Sequence, residues 1–118
     1  MNPKNHFTSL VGEELHTVAF VMDYVEFHFN GSRVRALTNP IVRALKSELQ
    51  FPSPGSRDAL CSLIGQEVRD AVLRENHSLT LSFASSAKLI IPLDPGSYLG
   101  PEALHWHPDD DLAHMVIW

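Results

Sequence analysis

The sequence has a single cysteine, Cys61, so no disulfide can form within the chain. A lone thiol suits a reducing cytoplasm, and its expected place is the core, beside Leu60 and Leu63. No run approaches the ~20 apolar residues that a membrane helix needs. The opening residues, Met1-Asn2-Pro3-Lys4-Asn5-His6, lead into no apolar signal core, which predicts no secretory leader. There is no long basic run in a chain of net charge −5, so neither nucleic acid nor an anionic membrane is an expected partner. The P-loop, the dinucleotide fingerprint and the Gly-x-Ser-x-Gly elbow are all missing. Nothing places a nucleophile beside a base. No catalytic residue is assigned, and the expectation is a cytoplasmic protein that is not an enzyme.

What is present is ordinary globular material. Hydrophobic residues make up 44% and charged residues 19% of 118 positions, which argues against global disorder. That length predicts one domain, 1–118, able to bury a core without a metal or disulfide staple.

The chain repeats itself. Leu10-Val11-Gly12-Glu13-Glu14-Leu15 returns as Leu63-Ile64-Gly65-Gln66-Glu67-Val68, 53 residues on. Val25-x-Phe27-x-Phe29 returns as Leu79-x-Leu81-x-Phe83, Val34-x-Ala36 as Leu89-x-Ile91, and Pro40 as Pro95. The offset grows by single residues at turns, where insertions are tolerated best. Two copies, 6–40 and 59–95, are too few for a solenoid. They predict two similar units, each a short helix plus a three-stranded antiparallel segment, related by a pseudo-twofold.

In the first copy, Leu15–Val21 is β-rich and Tyr24–Phe29 alternates. Val25, Phe27 and Phe29 point one way; Tyr24, Glu26 and His28 point the other. Asn30-Gly31 predicts a type I′ hairpin, with positive φ at both residues. The register then sets Phe27 against Val34, Glu26 against Arg35 and His28 against Arg33, which sorts apolar and charged pairs onto opposite faces. In the second copy, strands are expected near Val68–Leu73, Leu79–Phe83 and Lys88–Ile91.

Between the copies, Asn39 reads as an N-cap and Pro40 as the first helical residue. Ile41, Val42, Leu45 and Leu49 share one helical face, which predicts a linking helix over about 40–49. Ser56 opens a second short helix, with Leu60 and Leu63 in its apolar stripe and Gly65 closing it. The tail, 94–118, carries five acids and no Lys or Arg, so the whole formal charge lies there. Met115–Trp118 reads as a final apolar strand.

Two clusters are candidate sites. Tyr24, Glu26, His28, Arg33 and Arg35 form a charged strand face suited to a protein partner, and Trp106 reads as an aromatic anchor either of the core or of that interface. Glu26 opposite Arg35 also has a plain structural reading, as a cross-strand ion pair worth roughly 0.2–1 kcal/mol. The second cluster is His105, His107, Asp109 and His114, residue types that ligate zinc or another divalent metal. Its plain reading is a solvated acidic loop, and no metal-binding motif frames it.

Leu63–Val68, the Asp23-Tyr24 strand opening and the apolar end Met115–Trp118 resemble small bacterial proteins of unknown function, some of them found near toxin–immunity loci. That resemblance implies a bacterial cytoplasmic protein that works by binding another protein. It carries no catalytic residues to transfer.

The sequence therefore predicts an α+β, mainly β fold, with a barrel-like or sandwich closure both open. The first functional expectation is a non-enzymatic protein-binding module, immunity-like or accessory, with no cofactor, a homodimer among its expected forms, and the acidic tail or the Tyr24–Arg35 face as its contact. The alternative is a metal- or small-ligand-binding protein using the tail.

Overall fold

Residues 6–118 are described by a computed structural model of the chain. Short runs of β-branched and aromatic residues, broken by turns, become ten strands among the described residues. They are β1 (Thr17–Val21), β2 (Tyr24–His28), β3 (Arg33–Ala36), β4 (Ile41–Ala44) and β5 (Ser47–Gln50), then β6 (Val68–Arg74), β7 (Ser78–Phe83), β8 (Lys88–Pro92), β9 (Leu104–His107) and β10 (Val116–Ile117). The α-helix α1 (Ser56–Cys61) and 3₁₀ turns at His6–Leu10, Pro95–Ser97 and Leu112–His114 complete the described chain.

The strands form two antiparallel sheets of five, ordered β1-β2-β3-β9-β10 and β5-β4-β8-β7-β6. Neither sheet closes on itself, so the fold is not a barrel. One core serves both. Val25, Phe27, Val34, Leu104 and Trp106 from the first sheet join Val42, Leu79, Leu81, Leu89 and Ile91 from the second. Each fully buried Leu, Val or Phe contributes roughly 1.5–3 kcal/mol of transfer free energy. Phe7 and Leu10, in the first 3₁₀ turn, and Leu60 and Leu63, in and after α1, are also completely buried.

The β2–β3 register follows the alternation: Phe27 pairs with Val34 inside, and Glu26 with Arg35 outside. The turn between them is not type I′, because Gly31 has φ +84° while Asn30 keeps a negative φ. Glu13 accounts for part of this geometry, since its carboxylate accepts from the Asn30 N–H at 3.1 Å.

No helix forms over 40–49. Ile41–Ala44 instead pairs with β8, setting Ile41 beside Ile90 and Val42 beside Leu89, and returns as β5. A lone helix would have buried Val42 and Leu45 together. The hairpin buries Val42 and leaves Leu45 at its tip, fully exposed and at φ +50°. Two β-branched residues and a vacant place beside β8 outweigh the local helical pattern. Cys61 is likewise exposed rather than buried, because the helix turns Leu60, not its neighbour, into the core.

The two sheets are tied at their root by a bridge between Glu14 and Glu67. The bonds around it are reciprocal. Gly12 N–H donates to Val68 C=O at 2.8 Å, and Gly65 N–H to Leu15 C=O at 2.7 Å. Leu15 N–H donates to Gln66 C=O, and Val68 N–H to Glu13 C=O. Gly12 and Gly65 have φ +94° and +88°, a region where a side chain would be strained.

Candidate binding face

Strand pairing builds the site in rows. The partners of β3 are β2 on one side and β9 on the other. Arg35 therefore lies between Glu26 and His105, and Arg33 between His28 and His107. Residues opposite one another in antiparallel strands point to the same face. The first cluster and two residues of the second, His105 and His107, thus share the outer face of the first sheet.

Arg35 is the hub of this face. Its Nε donates to Glu26 Oε2 at 2.8 Å, and its Nη2 reaches the same oxygen at 2.6 Å. The guanidinium also lies 4.6 Å from the Tyr24 ring centroid, a cation–π contact. Its Nη1 approaches His105 Nδ1 at 3.4 Å. His105 Nε2 in turn donates to Glu102 at 3.0 Å, which sets the tautomer that leaves Nδ1 as acceptor. On the other side, His28 Nε2 donates to Glu26 Oε1 at 2.8 Å.

Glu26 is only 8% exposed. Burial opposes its ionisation, but hydrogen bonds from His28 and Arg35 and their positive charge outweigh that, so its carboxyl lies below the ordinary 4.5. His107 is buried as well, and its Nε2 has no hydrogen-bond partner among the described residues. Burial lowers its pKa from 6.5, and the charges of Arg33 and Arg35, with His105 beside them, lower it further. Arg33 makes no ion pair among the described residues, although it flanks that network.

The face runs into a cleft of about 590 Å³. Tyr24 and Glu102 belong to both; Met22, Phe51, Leu99 and Pro101 supply apolar walls. Met22 is 96% exposed and Leu99 68% exposed, so large apolar side chains stand in water at the cleft.

The remaining expected residues lie elsewhere. Trp106 points to the opposite side of β9, 3% exposed, with its ring 4.9 Å from that of Phe7. Strand alternation puts it in the core between two outward histidines, so it is not an anchor on this face. The four tail residues do not gather. His105 and His107 sit on the sheet with rings 6.3 Å apart, whereas His114 Nδ1 donates to Asp109 at 2.8 Å in an exposed turn. That bond and the Asp109 charge raise the His114 pKa above 6.5, while His114 lowers that of Asp109. No three His, Cys, Asp or Glu side chains converge on a metal position among the described residues. Sequence reasoning missed Glu102 and the cleft; the only signal was the β-rich run Leu104–His107, whose alternation resembles that of β2.

No helix among the described residues is long and apolar enough to cross a membrane. No family model, curated protein or solved structure matches the chain.

Proposed function

We propose that the protein is a non-enzymatic protein-binding module, immunity-like or accessory in role, and that its contact surface is the outer face of β2, β3 and β9 with the adjoining cleft. The observation that carries this reading is the register that gathers Tyr24, His28, Arg33, Arg35 and His105 on one outer face, each of them partly exposed. Interfaces are enriched in Tyr, Arg and Met, and their strongest contacts are aromatic or Arg anchors beside a pocket. This face offers both. The intramolecular ion pairs hold Arg35 and Glu26 in place before a partner arrives, which lowers the ordering cost of association. Arg33, without a carboxylate of its own, is the group that an acidic side chain of the partner would meet. An apolar side chain of the partner would enter the cleft.

The same reading includes the two-unit plan. The reciprocal bonds about Glu14 and Glu67 support a pseudo-twofold between the units. So does the parallel use of Glu13 and Gln66, whose side chains bond Asn30 and Ser85 at corresponding hairpins. On this plan the first unit diverged into the charged face, while β7 kept Ser78, Thr80 and Ser82 at the corresponding positions.

The test is site-specific photo-crosslinking in cells of the protein's source. A benzophenone side chain at Tyr24 should give a defined protein adduct. The same group at Val72, exposed on β6 of the second sheet, should not. Adducts from Val72 alone, or none from either site, would overturn the assignment.

A further inference from the structure

A sheet in solution has to deal with its open edges, because unpaired N–H and C=O groups invite another strand. Three of the four edges here are protected. β6 carries a register shift between Val68 and Asp70, and holds Arg69, Asp70 and Arg74. β5 is the four-residue strand Ser-Glu-Leu-Gln, and β10 has only Val116 and Ile117. The fourth edge, β1, is different. Thr-Val-Ala-Phe-Val has no charge, no proline and no glycine, and pairs with β2 without a shift along its length.

The register shows which groups are open. Only Met22 and Asp23 separate β1 from β2, so Val21 and Tyr24 close the hairpin as a hydrogen-bonded pair. Alternation then turns the peptide groups of Val18 and Phe20 away from β2, towards the open edge. Phe20 and Val21 are 38% and 43% exposed; the Phe20 ring stacks on Phe51 with Arg57 beside them, but no strand among the described residues pairs with that edge.

We propose that a second copy of this chain occupies it, β1 against β1 in antiparallel register about Ala19. The strand is complementary to itself. In this register Val18 lies opposite the second copy's Phe20, and each pair can exchange both backbone hydrogen bonds. Both residues lie on the core side, as their partners Phe27 and Val25 show, so the aromatic and β-branched pairs extend the two cores towards each other. Ala19 falls on the axis as the non-hydrogen-bonded pair, the kind with the closest side chains, about 4.5 Å between Cα atoms. A methyl group fits that spacing. The strand has no charge with which to select a foreign strand, and none to repel its own copy. The interface is isologous and closes at two copies.

This pairing makes one ten-stranded sheet from two five-stranded ones. The two Glu26–Arg35 ladders then stand on one continuous face, their Glu26 rows three strand spacings or roughly 14 Å apart. The inference does not depend on the binding reading, because it rests on the open backbone groups of β1, although Ala19 lies opposite Glu26 at the border of the polar face. A five-residue edge makes a small interface, so a reversible dimer is expected.

Two measurements test it. Native mass spectrometry and sedimentation of the full chain should show a species of twice 13.2 kDa whose share rises with concentration. Ala19→Lys should return it to single mass with an unchanged circular dichroism spectrum. Should that variant fail to fold, Ala19→Cys with Cys61→Ser decides: mild oxidation should crosslink it fully, since the spacing above suits a disulfide. Crosslinking no faster than for a control Cys at Val72 overturns the proposal. So does a wild-type chain that stays monomeric at its highest soluble concentration, or a dimer that Ala19→Lys leaves intact.

Discussion

Arg35 holds Glu26 through two contacts to one carboxylate oxygen while its own plane lies over Tyr24. This relationship orders the whole face, because His28 and His105 attach to its two ends. Glu26→Gln tests it. The substitution keeps the shape but removes the charge that a largely buried guanidinium relies on. A loss of about 2 kcal/mol is expected, between the value of an ordinary charged hydrogen bond and that of a fully buried pair. Urea unfolding measures it; a change below a few tenths of a kcal/mol would mean that solvent screens the pair.

Stability should fall on acidification through His107. Its folded pKa is depressed, so the unfolded chain takes up the proton first. Its contribution is present in full above about 6.5, the unfolded value, and is lost as pH falls through the folded value. Glu26, also depressed, adds a second loss below about 4.5. His114 acts in the opposite sense, since its raised pKa contributes below 6.5 and fades as pH rises, but it is solvent-exposed. His107→Gln should flatten the urea midpoint between about pH 7 and pH 5. A wild-type midpoint that is already flat there would contradict the account.

Leu45 offers a stabilising change. A leucine at φ +50° sits in the left-handed region at a cost of roughly 1–2 kcal/mol, and its side chain buries nothing. Leu45→Gly relieves the strain and should raise stability by about 0.5–1 kcal/mol after the entropy that glycine loses on folding. The sign separates two structures. In a helix over 40–49 the same change would cost about 1 kcal/mol.

Trp106→Ala should cost about 3–5 kcal/mol, as for other large aromatic deletions in a core. The contact with Phe7 makes the first 3₁₀ turn the segment that loosens with it. Hydrogen exchange at Phe7 and Leu10 would report that, and a variant as stable as wild type would place the indole outside the core.

Much of this was legible in the residues. Alternation in Val25–Phe29 with Asn30-Gly31 yields the β2–β3 register directly, because one slip would exchange core and solvent faces. The second copy's strands are equally readable from Leu79–Phe83. Local pattern fails where a distant strand decides. Ile41–Leu49 satisfies a helical stripe, but only pairing with β8 says that a strand belongs there. The convergence of His105 with Arg35 is invisible for the same reason: it depends on β9 crossing seventy residues of sequence to lie beside β3. Cys61 and Trp106 show a smaller effect, one residue of rotation or alternation deciding core against solvent.

The most direct test of the binding reading is a titration of the partner captured at Tyr24 against two charge reversals. Arg33→Glu should weaken binding about tenfold or more, equivalent to about 1.4 kcal/mol, as an unpaired interfacial cation turned to a like charge. Arg74→Glu, the same chemistry on exposed β6, should leave the Kd within a factor of about two, as expected for a charge off the interface. Equal affinities for wild type and Arg33→Glu, or a greater loss with Arg74→Glu, would contradict the account and move the contact surface off the first sheet.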